Sequence, residues 1–249
     1  MAGHSHFKNM MHRKGKVDKI RSKLFTKLSR EITVSAKLGT PDPDMNPRLR
    51  AAVQAARAAN MPKDNIERAI KKSQGNIDNS YEYSRYEGLG PSKIAVIIEA
   101  LTDNKNRTVS NIRSIFQKFG GELLTNGSVS YQFEQVGLIK LKKNLLTAEK
   151  AMEVAIESGA DDCHTSEAFH EIICKKDGLN SVREGVEKHF KDLDFVGLVW
   201  NPVNKVQLSK ESFDKVVNFL EQIENEDDVQ NVFTNFEVDE KILEGVSVH

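Results

Sequence analysis

Along residues 16–37, Val17, Ile20, Leu24, Leu28 and Ile32 recur at spacings of three and four, which predicts an amphipathic helix with Phe25 beside its apolar stripe. Prolines 41, 43 and 47 end that pattern. Asn46 then offers an N-cap and Pro47 a first helical position for an alanine-rich helix running to about Ala59. Pro62 opens a third helix, with Asp64 and Glu67 in its early turns and Lys71 and Lys72 in its last, matching the macrodipole at both ends before Gly75.

Beyond a polar linker, residues 74–84, the β-branched content rises and strands alternate with helices. A strand is expected over 94–101, a helix over 108–119 closed by Gly120 and Gly121, and an alternating strand over 128–134. The next stretch reads as a unit of its own: strand 137–141, helix 147–158, strands near Cys163 and Ile172, helix 179–190, strand 195–203. That βαββαβ order is the ferredoxin-like arrangement. A helix over 209–223 and a strand over 229–238 are too little for another domain and are expected to complete the sheet begun at Ile94.

The expected fold is therefore α+β: an N-terminal three-helix domain followed by two α/β-sandwich-type domains, the ferredoxin-like third inserted into the second. The expected boundaries are 1–76 for a basic arm and helical bundle, 80–135 plus 206–240 for a discontinuous α/β domain, and 136–205 for the insertion.

Composition adds little until it is divided. Hydrophobic residues at 39% and charged residues at 29% are ordinary for a globular chain of 249 residues. The longest apolar run, 94–101, contains Glu99 and is far short of a membrane span, and the N-terminus lacks the apolar core of a secretory signal, so a cytoplasmic protein is expected. The formal net charge of zero hides an asymmetry. Residues 1–72 hold 17 Lys+Arg against 6 Asp+Glu, net +11, whereas residues 144–249 hold 10 against 23, net −13. A basic front and an acidic rear orient an encounter with a polyanion.

The basic front has a pattern. On a helix, Lys16, Lys19, Lys23, Lys27 and Arg30 fall within an arc of roughly 80°, away from the apolar stripe and with no acid on that face. They continue an arm carrying Lys8, His12, Arg13 and Lys14, and the second helix adds Arg50 and Arg57, seven residues apart. These eleven residues are the candidate nucleic-acid-binding set. Such a surface neutralises phosphates and releases counterions. Phe7 is the only aromatic in the arm, and neither an RNP-like motif nor zinc-finger spacing is present, so backbone or shape recognition is expected ahead of base reading.

Other chemistry is weaker. His4, His6 and His12 suggest a metal, and Ala2-Gly3-His4 after loss of Met1 offers a nitrogen-rich site of the kind copper(II) accepts, but these histidines are expected to supply donors or partial charge beside phosphates, and no metal or cofactor is expected. Residues 87–93, EGLGPSK, lack Walker spacing and lead into a strand, so they read as a tight turn. Residues 120–134 place Asn126-Gly127 as a hairpin signal. Cys163 and Cys174 are expected to be buried thiols rather than a disulfide or metal pair. No nucleophile stands beside a base in a defined motif, so an enzyme is not expected. A protein-interaction scaffold remains the alternative from another class.

Three long segments carry a resemblance: AGHSHFKNMMHRKGKVDKIRSKLFTKLSREI from Ala2, NPRLRAAVQAARAANMPKDNIERAIKK from Asn46, and YEGLGPSKIAVIIEALTDNKNRTVSNIRSIFQKFGGELLTNGSVSYQFE from Tyr86. With VQNVFTNFE near the C-terminus, they closely resemble the YebC family over nearly the whole chain. The arm departs from the family's usual opening at His6, Phe7 and Met11 and is less basic there. The resemblance implies a helical bundle and two α/β domains, the third inserted into the second. It implies regulation of transcription through promoter DNA, or alternatively translation: a mitochondrial relative activates cytochrome c oxidase synthesis, and bacterial members associate with the ribosome and its RNA, where they relieve stalling. In this sequence the motif begins at Ala2, which leaves no room for a presequence.

Overall fold

A computed structural model describes residues 17–75, 81–191 and 193–239, with side chains from Arg21 onward. The chain opens with α1 (Val17–Leu38), α2 (Pro47–Ala58) and α3 (Lys63–Lys72). Asn46 caps α2 as its sequence suggests, its side chain accepting from Leu49 N–H with Pro47 at the first position. The same Asn46 amide donates to Ser35 O at 2.8 Å, and Thr33 donates to Ala69 O at 2.9 Å, so polar side chains tie α1 to α2 and to α3. From Ile32 to Ala36 the helix is buried all round.

The remaining elements are β1 (Glu82–Leu89), β2 (Ala95–Thr102), α4 (Lys105–Lys118), β3 (Glu122–Leu124), β4 (Phe133–Lys142), α5 (Ala148–Glu157), β5 (Asp162–Thr165), β6 (Phe169–Lys175), α6 (Leu179–Glu187), β7 (Phe195–Pro202), β8 (Val206–Gln207), α7 (Lys210–Glu224), β9 (Val229–Thr234) and β10 (Phe236–Glu237). They form two compact units.

One unit takes in residues 17–27, 81–134 and 200–239 of those described. Its four-stranded sheet has the order β3-β1-β2-β9, antiparallel throughout, with Glu82 opposite Thr102 and Val96 opposite Thr234. Val96 and Ile98 of β2 share a core with Ile112 and Phe116 of α4 and with Phe213, Val216, Phe219 and Leu220 of α7. Phe116 and Phe219 meet edge to face at 5.0 Å, an arrangement worth about 1 kcal/mol beyond the area it buries. The short strands β8 and β10 pair in parallel.

The other unit takes in 28–75 and 135–199 of those described. Its sheet has the order β5-β6-β4-β7. Read along the chain as β4-α5-β5-β6-α6-β7, this is the expected ferredoxin-like βαββαβ, inserted between the segments that build the first sheet. Ile139, Leu141, Ile172 and Cys174 pack against Ala151, Val154, Val182 and Val186.

Three expectations are corrected. The strand expected over 128–134 is instead a 3-10 turn at Ser130–Gln132, and β4 starts only at Phe133 and belongs to the second sheet. Residues 74–84 are not linker to their end, because β1 begins at Glu82 and runs through Glu87 and Leu89 of the segment expected as a turn. Its polar residues hide a strand that lies inside the sheet, where pairing on both edges overrides a weak β-propensity. Asn126-Gly127 closes no hairpin either: β3 pairs with β1, and β4 joins the other sheet.

Candidate nucleic-acid interface

Of the eleven candidate residues, Lys8, His12, Arg13, Lys14 and Lys16 lie outside the described residues, and Lys19 lies on α1 with its side chain outside them. The next two are placed clearly. Lys23 Nζ donates to Asn225 O at 2.9 Å and to Asn225 Oδ1 at 3.0 Å, and Lys27 Nζ donates to Glu224 O at 2.8 Å. Glu224 ends α7 and Asn225 is its C-cap. The last carbonyls of a helix have no partner within it and carry the negative end of its dipole, so two ammonium groups there satisfy acceptors and field together.

This differs from the outward-facing stripe that periodicity suggests. Lys23 and Lys27 are half-buried on α7, whereas Leu24, expected on the covered side, is 37% exposed. Phe25 is half-buried with the Arg21 guanidinium 5.3 Å from its ring centroid. Ile32, further along the same stripe, is fully buried. The acceptors are the main-chain carbonyls of Glu224 and Asn225 and the Asn225 side chain, at the end of a helix about 200 residues further along the chain, which no local pattern announces.

Arg30 is half-buried on α1. Arg50 braces the preceding turn, donating through Nε to Pro43 O at 3.0 Å and through its terminal nitrogen to Asp44 O. Arg57 is exposed in the last turn of α2. Sequence reasoning passed over three more exposed cations on α3. Arg68, Lys71 and Lys72 stand at i, i+3 and i+4, which places them within about 100° of one helical face. Asp64 and Glu67 are the acids of that helix, and Glu67 is 3.6 Å from Lys63. Arg57, Arg68, Lys71 and Lys72 are thus the solvent-facing cations of α2 and α3 that show neither an ion pair nor a side-chain hydrogen bond among the described residues.

The buried ionisable groups are tied into structure. Glu87 is fully buried, and its Oε2 accepts from Val129 N–H at 2.9 Å and Ser130 N–H at 3.0 Å. Burial alone would raise its pKa, but the backbone donors Val129, Gly127 and Ser130 and the charge of Arg85 outweigh it and hold the carboxyl below its ordinary range. Asp228 accepts from Arg107, Thr108 and Thr102 at 2.8, 2.7 and 3.1 Å. Here too burial pushes upward and the donors prevail, so the net direction is down. His170 is fully buried, with Nδ1 2.8 Å from Thr165 Oγ1 and Nε2 3.0 Å from Leu146 O. Cys163 and Cys174 are buried free thiols, pushed up by burial and then by Asp162 and Asp161 respectively, the reverse of what a nucleophilic thiolate needs. Among the described residues no group of His, Cys, Asp and Glu could hold a metal ion, and no helix is long and apolar enough to cross a membrane.

Residues 5–76 match the family description "TACO1/YebC protein N-terminal domain", and residues 81–236 match "TACO1/YebC second and third domain". Among curated proteins, the chain is 54% identical over 235 residues to a "Probable transcriptional regulatory protein" of Pelagibacter ubique (strain HTCC1062), covering 94% of this chain and 98% of that one. Among solved structures, it resembles a conserved hypothetical protein of Aquifex aeolicus with a TM-score of 0.83 and 43% identity, over 91% of this chain and 94% of that one.

Proposed function

This chain belongs to the TACO1/YebC family, and from that premise we propose that it regulates gene expression by binding nucleic acid, with promoter DNA as the polymer and transcription as the process. The observation that carries the reading is the charge of residues 1–72, 17 Lys+Arg against 6 Asp+Glu, on a segment whose described cations are in part solvent-facing. The name of the Pelagibacter relative supports regulation of transcription.

The footprint combines Lys8, His12, Arg13, Lys14, Lys16 and Lys19 of the arm and opening helix with Arg30 and Arg57. Lys23, Lys27 and Arg50 have internal acceptors, so their share of phosphate contact is smaller. Phosphate contacts of this kind position a protein on its polymer without reading bases, which makes groove shape and backbone geometry the source of preference. The action is binding rather than catalysis, and its place is the cytoplasm.

The test is a binding titration of the full chain against duplex DNA and against a ribosomal RNA fragment across a salt series. About six phosphate contacts give a slope of log K against log salt near −5 on duplex DNA. Tighter binding to the RNA fragment would move the function to the ribosome and translation. No binding to either polymer at low salt would leave a protein-interaction scaffold and overturn the proposal.

A further inference from the structure

Around α5 three kinds of surface follow one another. At about 100° per residue, Ala151, Val154 and Ala155 share one arc, Ala148, Met152 and Ile156 the next, and Glu149, Glu153 and Glu157 the one after, with Lys150 closing the circle. The first arc is buried in the core of the ferredoxin-like unit beside Cys163 and Ile172. The second is apolar but uncovered: Ala148 is exposed, Met152 is 40% exposed and Ile156 67%. The apolar part of the helix surface is thus about twice as wide as the part its own core uses.

Neither the apolar strip nor the acidic row serves the helix itself. An exposed isoleucine is a poorer helix former than the lysine or glutamate that could stand at Ile156. Glutamates at i, i+4 and i+8 repel one another along the face. Glu149, in the first turn, suits the positive end of the helix dipole, whereas Glu157 stands in the last turn, at the negative end, where no basic residue of the helix balances it. The row is partly offset: Lys150 Nζ is 2.7 Å from Glu153 Oε2, and His189 Nε2 is 3.4 Å from Glu157 Oε2. Past Gly159, Asp161 and Asp162 are exposed as well, the second with its Oδ2 3.0 Å from His164 Nε2. Residues 148–164 therefore set five carboxylates against one lysine and a histidine that is charged only when protonated, and the balance stays acidic.

We infer that the strip of Ala148, Met152 and Ile156 is a docking face for a basic amphipathic helix of a partner protein, which lays its apolar side on Met152 and Ile156 and its cations against Glu149, Glu153 and Glu157. The charge of the row selects this occupant. The same helix of a second copy would set carboxylate against carboxylate, and an anionic lipid surface or a nucleic acid would be repelled by the same groups. A basic amphipathic helix complements both surfaces at once, apolar on apolar and cation on anion. The unbranched, polarizable side chain of Met152 suits a contact that must adapt to its partner's shape. The face lies on a different element from the basic helices and does not depend on the nucleic-acid reading above.

The test uses the full chain and three fluorescein-labelled peptides of about five helical turns: leucine and lysine at amphipathic spacing, the same residues in scrambled order, and the amphipathic peptide with glutamate for lysine. Two variants accompany the wild type, Met152→Gln with Ile156→Gln and Glu153→Gln with Glu157→Gln, and circular dichroism and thermal melting check that these exposed substitutions leave the fold intact. The wild type is expected to bind the basic amphipathic peptide at least tenfold more tightly than either other peptide, and each variant to lose about tenfold of that affinity. The apolar variant is expected to bind duplex DNA as the wild type does. Equal binding of the scrambled or the glutamate peptide overturns the proposal, as does unchanged affinity in either variant. Self-association of the wild type that the apolar variant loses would put a second copy on the face and overturn the basic partner. A chain that binds DNA but none of the peptides overturns this face and leaves the nucleic-acid reading standing.

Discussion

Lys27 Nζ donates to the carbonyl of Glu224 across 2.8 Å, and one turn earlier Lys23 holds Asn225 through both its carbonyl and its side chain. The opening helix thereby caps the helix that packs on the first sheet. Replacing both lysines by alanine leaves the last carbonyls of α7 to water and removes favourable charge from its negative end, an expected loss of about 1–2 kcal/mol. Urea unfolding of the double variant measures that loss, and a nucleic-acid titration of the same protein is expected to show less than a tenfold change in affinity. A large affinity loss at unchanged stability would show instead that these lysines leave Glu224 and Asn225 when phosphate arrives.

Asp228 joins the start of β9 to the β2-α4 connection through Arg107, Thr102 and Thr108, and its main-chain carbonyl accepts from Leu101 N–H at 2.8 Å. Because those donors overcome burial, the folded carboxyl binds its proton less readily than the unfolded one. Its contribution to stability is therefore complete above the ordinary aspartate pKa of about 4 and is lost as pH falls through the depressed folded value. Glu87, shifted in the same direction, adds to the same acid limb. Asp228→Asn is expected to cost about 2 kcal/mol near neutrality and to flatten, without abolishing, the loss of stability on acidification. Denaturant unfolding of both proteins at a series of pH values checks this, and parallel acid limbs would remove Asp228 from the account.

Much of this architecture was legible because periodicity and caps are local. Asn46-Pro47 and the βαββαβ order announced themselves within a few residues of where they act. What stayed hidden depends on distant partners. β1 is a polar strand made credible only by β2 and β3 on its two sides, and Asn126-Gly127 is a good turn whose flanking strands belong to different sheets. The candidate interface divides in the same way. A helical wheel places Lys23 and Lys27 on one face, but it cannot say that a helix 197 residues further along ends against that face. The net charge of −13 over residues 144–249 gives no sign that Lys23 and Lys27 meet the main-chain carbonyls of Asn225 and Glu224 at a helix end.

Arg57, Arg68, Lys71 and Lys72 test the interface where the two roles of charge separate. Each is exposed, and replacement at exposed positions away from caps and cores shifts stability by about 0.5 kcal/mol or less. Lys71 and Lys72 sit in the last turn of α3 and Arg57 in the last turn of α2, so part of that small cost is lost interaction with the helix dipoles. If these cations meet phosphate, the effect on binding is of another order. Each contact removed from a duplex lowers the slope of log K against log salt by about 0.9, so replacing all four by alanine is expected to flatten it by three or more and to cost at least tenfold in affinity at moderate salt. The same quartet replaced by glutamine would give the same flattening, because the slope counts charges and not side-chain volume. A variant that melts like the wild type but keeps its slope would place the polymer elsewhere on the chain, and the arm residues Lys8, Arg13, Lys14 and Lys16 would then be the set to change next.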